Sequence, residues 1–256
     1  MVREGLPYFP FPQFIPRRPK MGATLTYHGQ STFLVETGGG RTIYIDPWLQ
    51  ANPVCPEELK SPRKADLICL THGHGDHTGD IMAVFNENPC PVAGHMDLVR
   101  ALGRAHEALK DHLTPVGKGG TVDLGGIQLT MTHAIHGSSY GPDGVYAGEP
   151  CGLILTFEDG KRIYHAGDTC LFSDMKLIGE LWEPDLCFLP IGDRATMGPA
   201  HAAIAVSYLN AKRVVPVHHS SLPFLTGKPE DFAAEVAKRS PDTEVITLKP
   251  GETVSV

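Results

Sequence analysis

Apolar and polar residues first alternate at residues 24–27 and 32–36, the period-two pattern of half-buried strands. Gly38-Gly39-Gly40 then turns the chain into a third strand at 42–46. Ile127, Leu129 and Met131 interleave with Gln128, Thr130 and Thr132 in the same way. The apolar runs at 65–70 and 186–190 are continuous and read as buried strands, with a further strand at 213–217. Residues 153–157 and 162–165 flank Glu158-Asp159-Gly160-Lys161, a hairpin turn. Short strands are predicted at 89–93, 244–248 and 253–256. Helical spacing predicts helices at 80–86, 95–102, 105–112, 174–181, 199–209 and 230–238, with Pro199 in a first turn. Residues 1–20 fit neither pattern. They are rich in Pro and Phe, cannot be a helix, and read as an extended arm that packs its aromatics on its own domain or on a partner subunit. The expectation is therefore an arm at 1–20, one domain at 21–256 and a homo-oligomer.

Chemistry-bearing residues stand at the ends of these strands. The run 65–70 leads into Thr71-His72-Gly73-His74-Gly75-Asp76-His77. In extended backbone, residues two apart project to one side, so His72, His74 and Asp76 can aim at one point. Gly73 and Gly75 let the backbone bend between them. His77 follows Asp76 directly and must point elsewhere, and two directions suggest two metals. Imidazole and carboxylate suit zinc, manganese and iron.

The stretch His72-x-His74-x-Asp76-His77 resembles the signature of the metallo-β-lactamase superfamily. Within it, the chain is similar to small metal-dependent hydrolases related to L-ascorbate-6-phosphate lactonase, over residues 21 to 256. Further motifs carry the resemblance: Ala134-Ile135-His136-Gly137-Ser138, the strand end Gly167-Asp168-Thr169, and Pro216-Val217-His218. The resemblance implies a four-layer αββα sandwich, an architecture that would also gather these scattered strand ends on one rim. It implies that His72, His74 and His136 hold one divalent ion, that Asp76, His77 and His218 hold a second, and that Asp168 bridges them. Zinc or manganese is expected, with iron also accepted by this set. A hydroxide clamped between the ions would attack an ester, lactone, thioester or phosphodiester of a small molecule. A non-catalytic metal-binding protein and a nuclease or nucleotide phosphodiesterase are the alternatives.

Asp46 resembles a buried aspartate that hydrogen-bonds the metal loop in that family. Gln30 stands where the family usually has a histidine; it can hydrogen-bond but cannot titrate. Asp76, Asp193 and His219 are the candidate catalytic groups, the last two as leaving-group acids. Strand parity separates His133 from His136. His133 continues the face of Leu129 and Met131 and should sit beneath the rim, while His136 lies past the strand end, within reach of metal. His165 is expected in a supporting place. The loop 137–150, with Tyr140 and Tyr146, is a candidate substrate wall.

Composition narrows the remaining possibilities. Lys plus Arg number 22 against 29 Asp plus Glu, a net charge of −7, which argues against nucleic-acid binding. The six cysteines form no C-x-x-C pair, and a reducing, cytoplasmic setting follows. No apolar run approaches membrane-spanning length.

Overall fold

A computed structural model describes residues 22–256. The predicted arm at 1–20 lies outside the described residues, and so does the oligomer inferred from it.

The first half runs β1 (Thr24–Gly29), β2 (Thr32–Glu36), β3 (Thr42–Ile45), β4 (Leu67–Cys69), α1 (Gly75–Thr78), α2 (Ile81–Glu87), β5 (Val92–His95), α3 (Met96–Ala105) and β6 (Leu113–Val116). The second half begins with β7 (Thr121–Asp123), β8 (Gln128–His133), β9 (Ser139–Tyr140), β10 (Val145–Tyr146), β11 (Cys151–Thr156) and β12 (Arg162–His165). It continues with α4 (Met175–Trp182), β13 (Leu186–Pro190), α5 (Pro199–Leu209), β14 (Arg213–Val217), α6 (Pro229–Arg239), β15 (Glu244–Val245) and β16 (Thr253–Ser255). Two mixed sheets result, ordered β16-β1-β2-β3-β4-β5-β6 and β15-β14-β13-β12-β11-β8-β7.

Alternation along the strands dictates the layers. Leu25, Phe33, Val35, Ile43 and Ile45 of the first sheet meet Leu129, Met131, Leu153, Ile163 and Phe188 of the second in a shared core. The opposite faces carry a second apolar set. Tyr44, Ile68 and Val92 pack under α2 and α3, and Ile154, Tyr164, Cys187 and Val214 pack under α4, α5 and α6. Sheets buried on both faces explain the continuous apolar runs at 65–70 and 186–190. The fold is the four-layer αββα sandwich.

Pairing direction places the site. β3, β4, β5 and β6 run parallel, as do β12, β13, β14 and β15. β1 is two antiparallel steps from β3, and β8 two such steps from β12, so both share those directions. Gln30, Asp46, the loop from Thr71, His136, Asp168 and His218 therefore all follow carboxyl ends of strands in their sheets. Backbone bonds join the two sheets there: His218 N–H donates to Gln30 O at 2.7 Å and Cys151 N–H to Thr71 O at 3.0 Å.

Candidate metal centre

The metal loop is not extended throughout. The chain leaves β4, passes His72 and His74, and enters α1 at Gly75, so Asp76 and His77 stand on a first helical turn. Helical rotation, not strand alternation, separates these two side chains. Neither Gly73 nor Gly75 has a left-handed backbone. Gly73 is required by crowding instead, since a Cβ there would lie 2.7 Å from Ser139 O.

Three sets of donor atoms converge. In the first, His72 Nε2 lies 3.0 Å from His74 Nδ1, and His136 Nε2 lies 3.3 Å from that same atom. Nitrogens held about 2.0–2.1 Å from one ion at tetrahedral angles are about 3.3–3.4 Å apart, so the spacing fits a shared ion. In another set, Asp76 Oδ2 is 3.6 Å from both His77 Nε2 and His218 Nε2. Asp168 stands between. Its Oδ2 is 3.0 Å from His218 Nε2 and 3.5 Å from His136 Nε2, while Oδ1 is 3.5 Å from His77 Nε2. His77 Nε2 and Asp168 Oδ1 are buried with no hydrogen-bond partner. Orphaned donor atoms facing one another in a buried cluster are costly unless a cation joins them.

A second layer fixes the rings. Asp46 accepts from Thr71 N–H at 2.8 Å and from Thr71 Oγ1 at 2.6 Å, and its Oδ2 is 2.8 Å from His77 Nδ1. That contact turns His77 Nε2 inward. Thr71 Oγ1 is also 3.0 Å from His72 Nδ1, which does the same for His72. Gln30 Nε2 donates to Asp76 Oδ2 at 2.8 Å, and Gln30 Oε1 accepts from Ser221 Oγ. Gln30, Asp46 and His218 all have positive φ, near +50°. Such strained non-glycine backbone persists where surrounding contacts over-determine it.

Charge follows the same layout. Burial pushes His72, His74 and His136 below the ordinary histidine value. Burial also opposes protonation of His77, but Asp168, Asp76 and Asp46 outweigh it and raise that ring well above the usual range. For His218, burial is likewise overcome, chiefly by Asp168, and the ring rises to about 9. Burial opposes ionisation of Asp168, yet His218 and His77 hold it well below a normal carboxyl. The carboxylates at this end of the cluster thus favour positive charge beside them.

Other residues singled out in the sequence separate clearly from the rim, beginning with His133. It is exposed, not beneath the rim, and its Nδ1 is 3.0 Å from Lys118 Nζ. Parity fails there because β8 ends at His133 and its ring turns onto Phe172. Asp193 is exposed in a left-handed turn and accepts from Arg194 N–H at 2.8 Å. His219 is buried, with Nδ1 3.0 Å from Ser220 Oγ. Neither Asp193 nor His219 lines the cavity over the donors. His165 lies under the cluster, its Nε2 3.0 Å from Ser31 O. Tyr140 bonds His106 and lines a neighbouring cleft that shares His74, whereas Tyr146 is exposed.

The apolar side of the site was not foreseen from the sequence. A cavity of about 310 Å³ opens over His74, Asp76, His136, Asp168 and His218, and its other walls are Trp48, Ala195, Leu222 and Phe224. The available signal was aromatic residues in loops just past strand ends, at 48 and 224.

Comparison with known proteins agrees with this geometry. A β-lactamase superfamily domain matches residues 41–219. A UPF0173 metal-dependent hydrolase from Rubrobacter xylanophilus is 43% identical over 234 residues, covering 90% of this chain and 96% of the relative. The novel metallo hydrolase Igni18 from Ignicoccus hospitalis superposes with a TM-score of 0.80 at 34% identity, covering 92% of this chain and 99% of that one. The metallo-β-lactamase fold protein YhfI from Bacillus subtilis shares the fold, with a TM-score of 0.69 at 16% identity over 92% of this chain and 99% of its own.

Proposed function

This chain belongs to the UPF0173 metal-dependent hydrolases of the β-lactamase superfamily, and from that membership we propose that it cleaves an ester, lactone or phosphodiester bond of a small molecule with two divalent ions. The observation that carries this reading is Asp168, whose two oxygens reach donors of both sets. His72, His74 and His136 would hold one ion and Asp76, His77 and His218 the other, with Asp168 within reach of both sets. Zinc and manganese suit these donors, as does iron. When bound, the ions supply Lewis acidity and the water activation that hydrolysis needs near neutral pH.

The chain's own residues prepare the rest. Asp46 and Thr71 fix which ring nitrogens face inward. Asp76 is partly exposed at the cavity; burial opposes its ionisation, but His77 and His218 outweigh that and hold it well below a normal carboxyl. It is ionised at neutral pH, the form in which a carboxylate ligates a metal. Trp48, Leu222 and Phe224 give the cavity an apolar side.

Chelation should abolish hydrolysis of chromogenic esters or phosphodiesters, and zinc or manganese should restore it. Circular dichroism must show the chelated protein still folded, because metal and folding can be coupled. Full turnover by folded, metal-free protein would sink the proposal.

A further inference from the structure

The cavity over the donor cluster has two kinds of wall. The five donors form one; Trp48, Ala195, Leu222 and Phe224 form the other. Apart from the indole N–H of Trp48, the second wall offers no side-chain hydrogen-bonding group and no charge. We infer that the non-reacting part of the substrate is apolar, a short alkyl or aryl group on a carboxylic ester or lactone, and not a nucleotide or sugar phosphate. The inference rests on the hydrolytic reading above and narrows it.

The apolar wall is built from both halves of the fold. Trp48 follows β3, Ala195 follows β13, and Leu222 and Phe224 follow β14. Trp48 is 8% exposed and forms the fixed base, whereas Phe224 is 40% exposed and forms the outer lip. The Arg194 guanidinium sits 5.5 Å from the Phe224 ring centroid and is not among the lining residues. It lies against that ring at the outer lip.

A nucleotide or sugar phosphate would bring hydroxyl and phosphate groups against indole, leucine and phenylalanine carbons. Desolvating such groups without partners is unfavourable, and phosphate recognition calls for Arg or Lys forks that this wall lacks. An alkyl or aryl group loses nothing there and gains by leaving water. The volume of about 310 Å³ lies at the small end of ligand sites, which limits the group's length. Hydrolysis then adds water across the acyl C–O bond. The hydroxyl goes to the carbonyl carbon and the proton to the leaving alcohol, so no oxidant or second substrate is needed.

Calorimetric titration of the metal-loaded protein tests this without relying on turnover. The probes are acetate, butanoate and hexanoate, with inorganic phosphate and uridine monophosphate alongside. Kd should fall about fourfold per added methylene, the ~0.8 kcal/mol of a buried CH₂, until the cavity is full. Uridine monophosphate should bind no tighter than inorganic phosphate. Phe224→Ala and Leu222→Ala should each flatten the chain-length dependence and leave acetate affinity within about twofold. A flat carboxylate series overturns the inference, as does uridine monophosphate binding more than tenfold tighter than phosphate. If the carboxylate series behaves as expected but no p-nitrophenyl ester is cleaved, the apolar site stands and the hydrolytic reading falls.

Discussion

Gln30 shows how much one side chain at the rim controls. Its backbone carbonyl accepts from His218 N–H at 2.7 Å, and its side chain bonds Asp76. Two of the three donors in one set, Asp76 and His218, thus hang on a single residue; the contacts of Gln30 include none of His72, His74 or His136. The amide cannot be reversed. An ionised Asp76 only accepts hydrogen bonds, so the NH₂ end must face it and the carbonyl end must face the Ser221 hydroxyl. Gln30→Leu keeps the backbone carbonyl and removes the amide. It should weaken one ion about 10- to 100-fold, the usual effect of losing an outer partner of a ligand, and leave the other unchanged. Gln30→His restores a donor and should recover most of that affinity. Metal content by plasma mass spectrometry, with calorimetric titration, reads both. Retention of two ions at unchanged affinity by Gln30→Leu would mean that the residue only fills space.

At the scale of the element, β1 divides its residues between two environments. Leu25 and Tyr27 face the core between the sheets, while His28 packs edge-on against Tyr44 on the outer face. His28 is 1% exposed and neither ring nitrogen has a partner. Burial, helped by Arg63, pulls it from 6.5 down to about 4. The folded state therefore resists a proton that the unfolded chain accepts. Stability is full above pH 6.5 and falls as the pH drops towards 4, by about 3 kcal/mol at most. His28→Phe removes the titration, so urea unfolding of metal-free protein at pH 7 and 4.5 should show a smaller acid loss than the unsubstituted chain. Equal losses would dissociate His28 from acid sensitivity. The alternation that identifies β1 and β8 was legible because one face is core. β6 was hidden: it carries Pro115, which sheet edges tolerate, and it is the edge strand. β9 and β10, two residues each, are too short to show a period. The seven candidate metal ligands were legible because each stands in a motif or just beyond a strand. Asp193 and His219 do not line the cavity over the donors, because neighbours in sequence diverge where the backbone turns left-handed, at Asp193 and at His218.

Across the whole molecule, the donors come from both sheets. His72, His74, Asp76 and His77 follow β4 of the first sheet, whereas His136, Asp168 and His218 follow β8, β12 and β14 of the second. Each donor set draws on both, so an ion bound in either one cross-links the sandwich at its open rim. Protein contacts tie the halves there as well: the backbone bonds from His218 to Gln30 and from Cys151 to Thr71, the contact of His165 with Ser31, the Ser221 hydroxyl on Gln30, and Gly73 N–H on Ser138 Oγ. The unfolded chain cannot assemble either set, so binding adds directly to folding stability. At a free concentration about 100 times Kd, one ion contributes about 2.7 kcal/mol. For a chain of this length, 1 kcal/mol moves Tm by about 2–4 °C, so each ion should raise Tm by about 5–11 °C. Scanning calorimetry with and without chelator measures the gain. Asp168→Asn removes the one charge shared by both sets and should forfeit most of it, whereas Gln30→Leu should forfeit one ion's share. An unchanged Tm after verified metal removal would mean that the rim is closed by protein contacts alone and that the ions serve chemistry without holding the sheets together.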